Sequence, residues 1–279
     1  SEGLAIELKK GFLQRSLTAV FISAFVITLI IYSSDLILKF FIVLLSMALF
    51  FEWMKVSKAS RTKKIIFLII FIAIISLSQI FGALFEPISL IAMLGVTTWI
   101  VVAYQMFLKA GRLSSNFTFS NFWMGLILIT TFCLICFKFL NESRIFLLVI
   151  IFNIAVFDTA AYLTGKSLGK RPFLPKLSPN KTLEGLIGGF ISSIIFCMCL
   201  YLLLEEVSIT NALAMILSIP FALCGDYFFS FLKRKADIKD TGNVLPGHGG
   251  LLDRVDSHLA AIPMTMFLFL LLSTTGSYF

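Results

Sequence analysis

Charged residues are scarce in this chain: only 14% of its 279 residues are Asp, Glu, Lys or Arg, whereas 59% are hydrophobic. Soluble domains are nearer a quarter charged, so a soluble globular fold is excluded. The apolar residues form long runs instead of alternating with polar ones, and the mean hydropathy is +0.99. A spanning helix needs about 20 mostly apolar residues. We therefore expect an all-α integral membrane protein.

Cysteine and glycine patterns exclude two kinds of site. Cys133 and Cys136 have C-x-x-C spacing, but no second Cys or His cluster completes a zinc site. Gly165-Lys166-Ser167 is similar to the end of a phosphate-binding P-loop, a motif that needs another glycine five residues earlier. Position 160 is alanine, and no strand pattern precedes it. The P-loop is therefore excluded.

Nine apolar stretches predict about nine transmembrane helices, approximately over 16–32, 36–54, 65–84, 88–108, 121–140, 145–163, 183–204, 208–229 and 257–274. If the N-terminus is cytoplasmic, all of the 23 Lys and Arg residues except Lys39, Lys138 and Arg144 fall in cytoplasmic segments. The positive-inside rule requires this asymmetry. We expect a cytoplasmic N-terminus and an outside C-terminus. The net charge of +8 then reflects loops at the membrane, and we expect no nucleic-acid partner.

The two halves of the sequence differ. Residues 1–144 hold about five spans and loops with little chemistry, as in a transmembrane scaffold. Residues 145–279 hold the two long loops, 164–182 and 230–256, which carry glycine and proline, and we expect this half to be catalytic. A transporter built from inverted repeats is not favoured by this asymmetry.

Two carboxylates lie inside predicted spans, Asp158 and Asp226, each near the cytoplasmic end. An ionisable residue there costs several kcal/mol unless it is solvated or paired, so both are functional candidates. A structural ion pair or a position near the interface would also explain them. An ion-coupled transporter, which would use them as coupling residues, is a remote alternative.

The segment Ser230–Asp256 has the densest pattern of polar residues. Spacings of four and seven place Asp226, Ser230 and Lys233 on one helical face, where a carboxylate and a cation suit a metal–phosphate site. Asp253 and Asp256, three apart at a predicted helix start, share a face and would repel without a cation. Oxygen-only ligands favour magnesium over zinc.

The same segment carries Gly249 and Gly250, which permit backbone N–H groups to face an anion. His248 either contacts phosphate or fills the turn. In the other loop, Ser178 and the Thr182–Glu184 pair open the seventh helix, whose N-terminus can receive an anion. The alternative for that loop is a helix cap together with close packing at Gly185, Gly188 and Gly189.

These residues resemble the phosphatidate cytidylyltransferases (CDP-diacylglycerol synthases). The family pattern S-x-[apolar]-K-R-x4-K-D-x-[small]-x2-[apolar]-P-x-H-G-G-[apolar]-x-D-R-[apolar]-D is met at every fixed position over Ser230–Asp256. Ser178–Gly185 is similar to a second feature of that family. The specific resemblance covers roughly residues 158–256, and the first half matches only as a hydrophobic scaffold.

The resemblance implies that CTP and phosphatidate react at the cytoplasmic leaflet to give CDP-diacylglycerol and pyrophosphate, a step in phospholipid synthesis. A bacterial inner membrane is the implied location, with the active site on the cytoplasmic side. The implied cofactor is Mg²⁺ or Mn²⁺, with room for a second cation. A homodimer is one oligomeric state that the resemblance allows.

Site roles follow from the same resemblance. We expect Asp226, Asp253 and Asp256 to hold the metal, directly or through water, and Asp240 to support them. The expected catalytic residues are Lys233, Arg234, Lys239, Asp253, Arg254 and Asp256. The expected substrate-binding residues are Lys166, Ser178, Lys181, Thr182, Ser230, His248, Gly249 and Gly250. Solvated positive-inside charge is the alternative for Lys166, Lys170 and Lys181.

A related CTP-dependent enzyme, such as a polyprenol or phytol kinase or a synthase acting on archaeal ether lipids, is the nearest alternative. Kinases release CDP, whereas cytidylyltransferases release pyrophosphate.

Overall fold

The computed structural model describes residues 20–57, 60–80, 88–108, 121–175, 178–242 and 249–276. It has nine helices and one two-stranded hairpin in this part of the chain. In order, these are α1 Val20–Tyr32, α2 Asp35–Val56, α3 Arg61–Ile80, α4 Ile88–Leu108, α5 Asn121–Glu142, α6 Arg144–Leu168, β1 Pro172–Leu174, β2 Ser178–Thr182, α7 Leu183–Leu203, α8 Ile209–Lys235 and α9 Leu252–Gly276.

Each of the nine predicted apolar stretches overlaps one helix, which confirms a helical membrane protein. Seven helices are long and apolar enough to cross a membrane, namely α2, α3 and α5 to α9. The other two, Val20–Tyr32 and Leu90–Met106 within α4, are apolar but shorter over their described residues. The count of nine spans and the orientation of the termini therefore stay predictions.

Aromatic packing joins the first half of the chain to α8 and α9. The Trp53 ring lies 5.8 Å from that of Phe229, and Trp99 lies 5.8 Å from Phe228, both edge-on. The Trp99 indole N–H also donates to the Leu259 carbonyl at 3.0 Å. Aromatic pairs at such angles stabilise beyond the area they bury. The C-terminal helices are therefore fixed against α2 and α4.

Glycine allows α7 to lie directly against α6, as the sequence predicts. A Cβ on Gly188 would lie 2.4 Å from the Thr164 hydroxyl, and one on Gly189 would lie 2.8 Å from the Phe157 carbonyl. Small residues let membrane helices approach in this way. Farther along the same helices, Ser193 donates to the Asn153 amide oxygen at 2.8 Å. This buried hydrogen bond fixes the register of the pair.

The hairpin between α6 and α7 is the one element that the all-α prediction lacks. Pro172 pairs with Thr182 and Leu174 with Ser178 in an antiparallel arrangement. The segment Ser178–Thr182 reads S-P-N-K-T, which has no alternation of apolar and polar residues. Strand prediction depends on that alternation, so the sequence carries no strand signal here.

The polar groups gather at one end of the bundle, which we call the site end. There α2, α6 and α8 finish and α7 and α9 begin. At the far end, where α2 and α6 begin, Arg144 donates to the Ser33 carbonyl at 2.6 Å and forms an ion pair with Asp35. The hairpin and the described residues between α8 and α9, 236–242 and 249–251, belong to the site end.

Candidate active site

Close packing of α8 on α9 brings two of the predicted carboxylates together. A Cβ on Gly225 would lie 2.4 Å from the backbone carbonyl oxygen of Asp256, so no larger residue fits without moving a backbone. Asp226, the next residue on α8, is therefore held beside the first turns of α9. The prediction that Asp226 and Asp256 lie close to one another is confirmed.

Asp158 of α6 completes a carboxylate cluster, which we define as Asp158, Asp226 and Asp256. Asp226 lies close enough to interact electrostatically with both other carboxylates, and Asp158 also interacts with Asp256. Ser257 forms a side-chain hydrogen bond with Asp158. Three carboxylates that interact in this way repel one another, so the cluster needs positive charge nearby.

Lys181 of β2 supplies part of that charge. Its ammonium forms an ion pair with Asp226 and lies 4.4 Å from the centre of the Tyr227 ring. Lys181 is 24% exposed and Asp226 is 28% exposed, so this pair is accessible from solvent at the site end. An ammonium over an aromatic face is attracted to the ring as well as to the carboxylate. The hairpin therefore delivers Lys181 to the cluster.

The start of α7 is capped by the protein itself. The Thr182 side chain accepts a hydrogen bond from the Gly185 N–H at 3.2 Å, as an N-cap does. Glu184 turns back and accepts the N–H groups of Lys170 and Arg171 at 3.0 and 3.1 Å. Ser178 lies in β2, opposite Leu174, so the prediction that it opens the helix is wrong. The cause is the unpredicted hairpin.

Asp253 lies in a second network instead of in the carboxylate cluster. Its Oδ1 accepts from the Lys233 ammonium at 2.7 Å. Its Oδ2 accepts from the backbone N–H of Thr241 at 2.9 Å and from that of Gly250 at 3.1 Å. Only 6% of the Asp253 side chain is exposed. Both of its oxygens are therefore occupied by protein donors.

The sequence predicts one metal site shared by Asp226, Asp253 and Asp256. As their side chains lie, these three residues do not form such a site. Within the described ranges, no group of three or more His, Cys, Asp or Glu side chains is arranged to hold a metal ion. Lys233 connects the two networks, because it bonds to Asp253 and also interacts electrostatically with Asp256.

Most other predicted site residues lie at the site end. Ser230 and Lys233 follow Asp226 along α8, which continues to Lys235 beyond the predicted span. Gly249 adopts a φ of 82°, a left-handed conformation that favours glycine. The remaining predicted cations of the site are exposed in the structure: Lys166, Arg234, Lys239 and Arg254. Asp240 lies close to Gly249, and His248 falls outside the described residues.

Sequence reasoning missed two residues that the site contains. Glu52, on α2, accepts a hydrogen bond from Thr241 at 2.8 Å and is only 6% exposed. Thr241 in turn contacts Asp253 through both its N–H and its hydroxyl. The sequence does carry a signal for Glu52, because this residue lies inside the predicted span 36–54. The rule that makes Asp158 a functional candidate covers it equally. Nothing in the sequence singles out Thr241.

Comparison with known proteins supports an enzyme site. The chain is 43% identical over 119 residues to a phosphatidate cytidylyltransferase of Bacillus subtilis (strain 168), covering 42% of this chain and 44% of the relative. It is 40% identical over 124 residues to a phosphatidate cytidylyltransferase of Thermotoga maritima, covering 42% and 46%. An uncharacterized Escherichia coli protein is 46% identical over 111 residues, covering 39% and 37%.

The chain thus spans less than half the length of each of these relatives in the matched segments. The model of the cytidylyltransferase family matches residues 13–272, which is nearly the whole chain. This protein belongs to the cytidylyltransferase family.

Proposed function

We propose that this chain transfers the cytidylyl group of CTP to phosphatidate and releases pyrophosphate, forming CDP-diacylglycerol for phospholipid synthesis. One observation carries the proposal: charged side chains from α6, β2, α8 and α9 meet at one end of an otherwise apolar bundle. Membership of the family indicates cytidylyl transfer, and the names of the Bacillus and Thermotoga relatives indicate the acceptor.

The position of the site suits substrates that occupy different solvents. The acyl chains of phosphatidate stay in the bilayer, whereas CTP is soluble in water. A site at the end of several spans lets each reactant remain in its own solvent. The clustering of Lys and Arg in alternate loops supports a cytoplasmic site end. We place the protein in a bacterial plasma membrane with the site facing the cytoplasm.

The reaction needs charge and position more than a strong base. A phosphomonoester carries about −1.5 to −2 charge at pH 7, so the attacking oxygen of phosphatidate is already ionised. That oxygen forms a bond to the α-phosphorus of CTP, and the bond from this phosphorus to the bridging oxygen of pyrophosphate breaks. Bringing two anions together is the main barrier, which cations and exact placement lower.

Lysine and arginine residues at the site end supply that placement. Lys181 and Lys233 each interact with a carboxylate at the centre of the site, so their ammonium groups have defined positions. Arg234, Lys239 and Arg254 are exposed nearby, where they hold the phosphates of CTP and of the lipid. Fixed cations of this kind are most effective where charge develops in the transition state.

We infer that the carboxylate cluster holds Mg²⁺ or Mn²⁺ once its side chains close around the ion, because as they lie no three such groups in the described part of the chain are arranged to do so. Asp158, Asp226 and Asp256 present oxygen ligands only, which these ions prefer, and their mutual repulsion is relieved by a cation. Asp253 holds Lys233 instead of the ion. When bound, the metal neutralises charge on the reacting phosphates. A second cation and a homodimer stay predictions.

The test is a product assay on the purified, reconstituted protein. It receives phosphatidate, Mg²⁺ and CTP labelled separately in the cytosine base and in the γ-phosphate. Cytidylyl transfer moves the base label into lipid and releases pyrophosphate. Transfer of the γ-label with release of CDP would identify a lipid kinase and overturn the proposal. Solute flux without CTP would identify a transporter.

A further inference from the structure

Glu52 is a buried carboxylate that the first half of the chain contributes to the site end. It lies in the last turns of α2, and only 6% of it is exposed. Its Oε2 accepts from the Thr241 hydroxyl and from the Leu252 N–H, each at 2.8 Å, and its Oε1 accepts from the Leu251 N–H at 2.9 Å. All three donors are uncharged and belong to the segment 241–252.

Two of these donors are at the N-terminus of α9, which begins at Leu252. The free N–H groups of a helix start carry partial positive charge, so a carboxylate is favourable there. Glu52 therefore caps α9 from a different helix, about 200 residues away in the sequence. A cap of this kind fixes the entry of the chain into α9, and Asp253 is the next residue.

Two glycines lie so close to the Glu52 carboxylate that a side chain at either position would displace it. A Cβ on Gly242 would lie 2.4 Å from Oε1, and one on Gly250 would lie 2.5 Å from Oε2. The resemblance assigns Gly250 to substrate binding. Its contact with Glu52 gives a second physical reason for a glycine at this position.

Thr241 connects Glu52 to the Asp253 network. The Thr241 hydroxyl lies 2.8 Å from Glu52 Oε2 and 3.1 Å from Asp253 Oδ2, and its N–H donates to the same Asp253 oxygen. Asp253 then accepts from Lys233. An unbroken series of contacts thus runs from α2 to a lysine beside the carboxylate cluster.

We propose that Glu52 is a positioning residue of the transferase site: its buried carboxylate fixes Thr241 and the start of α9 and, through Thr241 and Asp253, the Lys233 ammonium. The inference rests on the proposed function, because the group being positioned is a cation for transferred phosphate. Glu52 touches neither substrate. Its effect is to reduce the number of arrangements that Lys233 and the start of α9 adopt before reaction.

The central test is Glu52→Gln, which keeps the shape of the side chain but replaces one acceptor oxygen by an NH₂ group facing protein donors. We expect kcat to fall about 10- to 100-fold, as for the loss of other positioning contacts, with a smaller change in KM for CTP. Asp35→Asn, on the same helix at the far end, is the matched control and keeps both constants within twofold.

Hydrogen exchange separates positioning from a general loss of stability. In Glu52→Gln, the amides of Leu251 and Leu252 exchange faster, whereas those of α7 keep the wild-type rate. Thr241→Val removes the connecting hydroxyl and leaves the cap on α9, so it serves if Glu52→Gln fails to fold. We expect it to lower kcat about tenfold.

A kcat within twofold of wild type in a folded Glu52→Gln, or in Thr241→Val, would overturn the inference. Unchanged exchange at Leu251 and Leu252 in Glu52→Gln would do the same. Exchange requires no turnover, so it tests the hold of Glu52 on the segment even if the wild-type protein transfers no cytidylyl group. That last result would reject the proposed function alone.

Discussion

The best-buried ion pair of the described residues lies in the second half of the chain, whereas the ion pairs of the first half are more exposed. In residues 1–144 the ion pairs of the described part are accessible: Asp35 is 61% exposed, and Lys138 and Glu142 are 33% and 40% exposed. In residues 145–279, Lys233 and Asp253 are 19% and 6% exposed. Removing charge from water costs several kcal/mol per ion, and a membrane protein sustains that cost mainly where the charge has a function.

Glu52 is an exception to this difference in burial between the two halves. It belongs to the first half, yet it is buried and contacts the threonine that Asp253 contacts. The first half therefore contributes a buried carboxylate to the site end. Matched substitutions in the two halves test whether the contrast in burial is a contrast in function.

The largest effect is expected from Asp256→Asn. Loss of one carboxylate charge from the cluster removes one proposed ligand for the metal, and we expect turnover to fall by about 10³-fold or more. Binding of Mn²⁺ to the substrate-free protein, measured by electron paramagnetic resonance, should weaken in parallel. Membrane insertion and helix content should match the wild type, because the overall packing of α9 is unchanged.

Asp35→Asn is the control in the first half, since it removes an equal charge at the far end. Turnover and Mn²⁺ binding should both stay within twofold of wild type. Wild-type Mn²⁺ affinity in Asp256→Asn would exclude this residue as a ligand. Asp158→Asn and Asp253→Asn then sharpen the assignment, because only the former should weaken Mn²⁺ binding directly.

The next largest effect is expected from Lys233→Met, which keeps most of the apolar stem and removes the charge. The Asp253 side chain, which is only 6% exposed, then loses its cationic partner. Removing one fixed donor to a transition state costs about 10²- to 10³-fold, and we expect the lower end of that range. Steady-state kinetics of pyrophosphate release measures it.

Lys138→Met is the matched substitution in the first half. Lys138 pairs with Glu142 at 3.2 Å across one helical turn, and both are accessible. Such pairs contribute about 0.3–0.5 kcal/mol, so neither turnover nor the melting temperature should change measurably. Equal losses of turnover in the two methionine variants would show that burial does not separate functional from incidental lysines in this protein.

The positions of the helices and part of the site could be predicted from the sequence, because hydropathy and helical periodicity are local properties. Apolar runs located the helices. The spacing of Asp226, Ser230 and Lys233 predicted that they share one helical face, and α8 does extend past all three residues. The glycines of α7 were correctly expected to pack closely, since small residues have that use between membrane helices.

The partners of each carboxylate could not be predicted in the same way. Spacing placed Asp253 and Asp256 on one face. In the structure Asp253 bonds to Lys233 and Thr241, whereas Asp256 interacts electrostatically with Asp158 and Asp226. That division depends on the path of the segment between α8 and α9 and on Glu52, which is about 200 residues distant. Contacts over such separations leave no periodic pattern.

A smaller effect is expected from Glu184→Gln. Glu184 accepts the N–H groups of Lys170 and Arg171 and so fixes the hairpin that carries Lys181. Loss of these hydrogen bonds should lower kcat/KM for CTP about three- to tenfold. Glu205→Gln, in the exposed connection between α7 and α8, is the control and should have no effect. A hundredfold loss in Glu184→Gln would indicate direct contact with substrate.

The smallest effect on turnover is expected from Arg144→Met, at the far end. Arg144 joins α6 to α2 through the Ser33 carbonyl and Asp35, so its loss should lower the melting temperature. The gain from the ion pair is limited because Asp35 is 61% exposed to solvent screening. Turnover per folded molecule should stay within twofold, since neither network of the site includes this end. A tenfold loss of turnover below the melting transition would mean that the far end of the scaffold controls the site, and the division between the halves would fail.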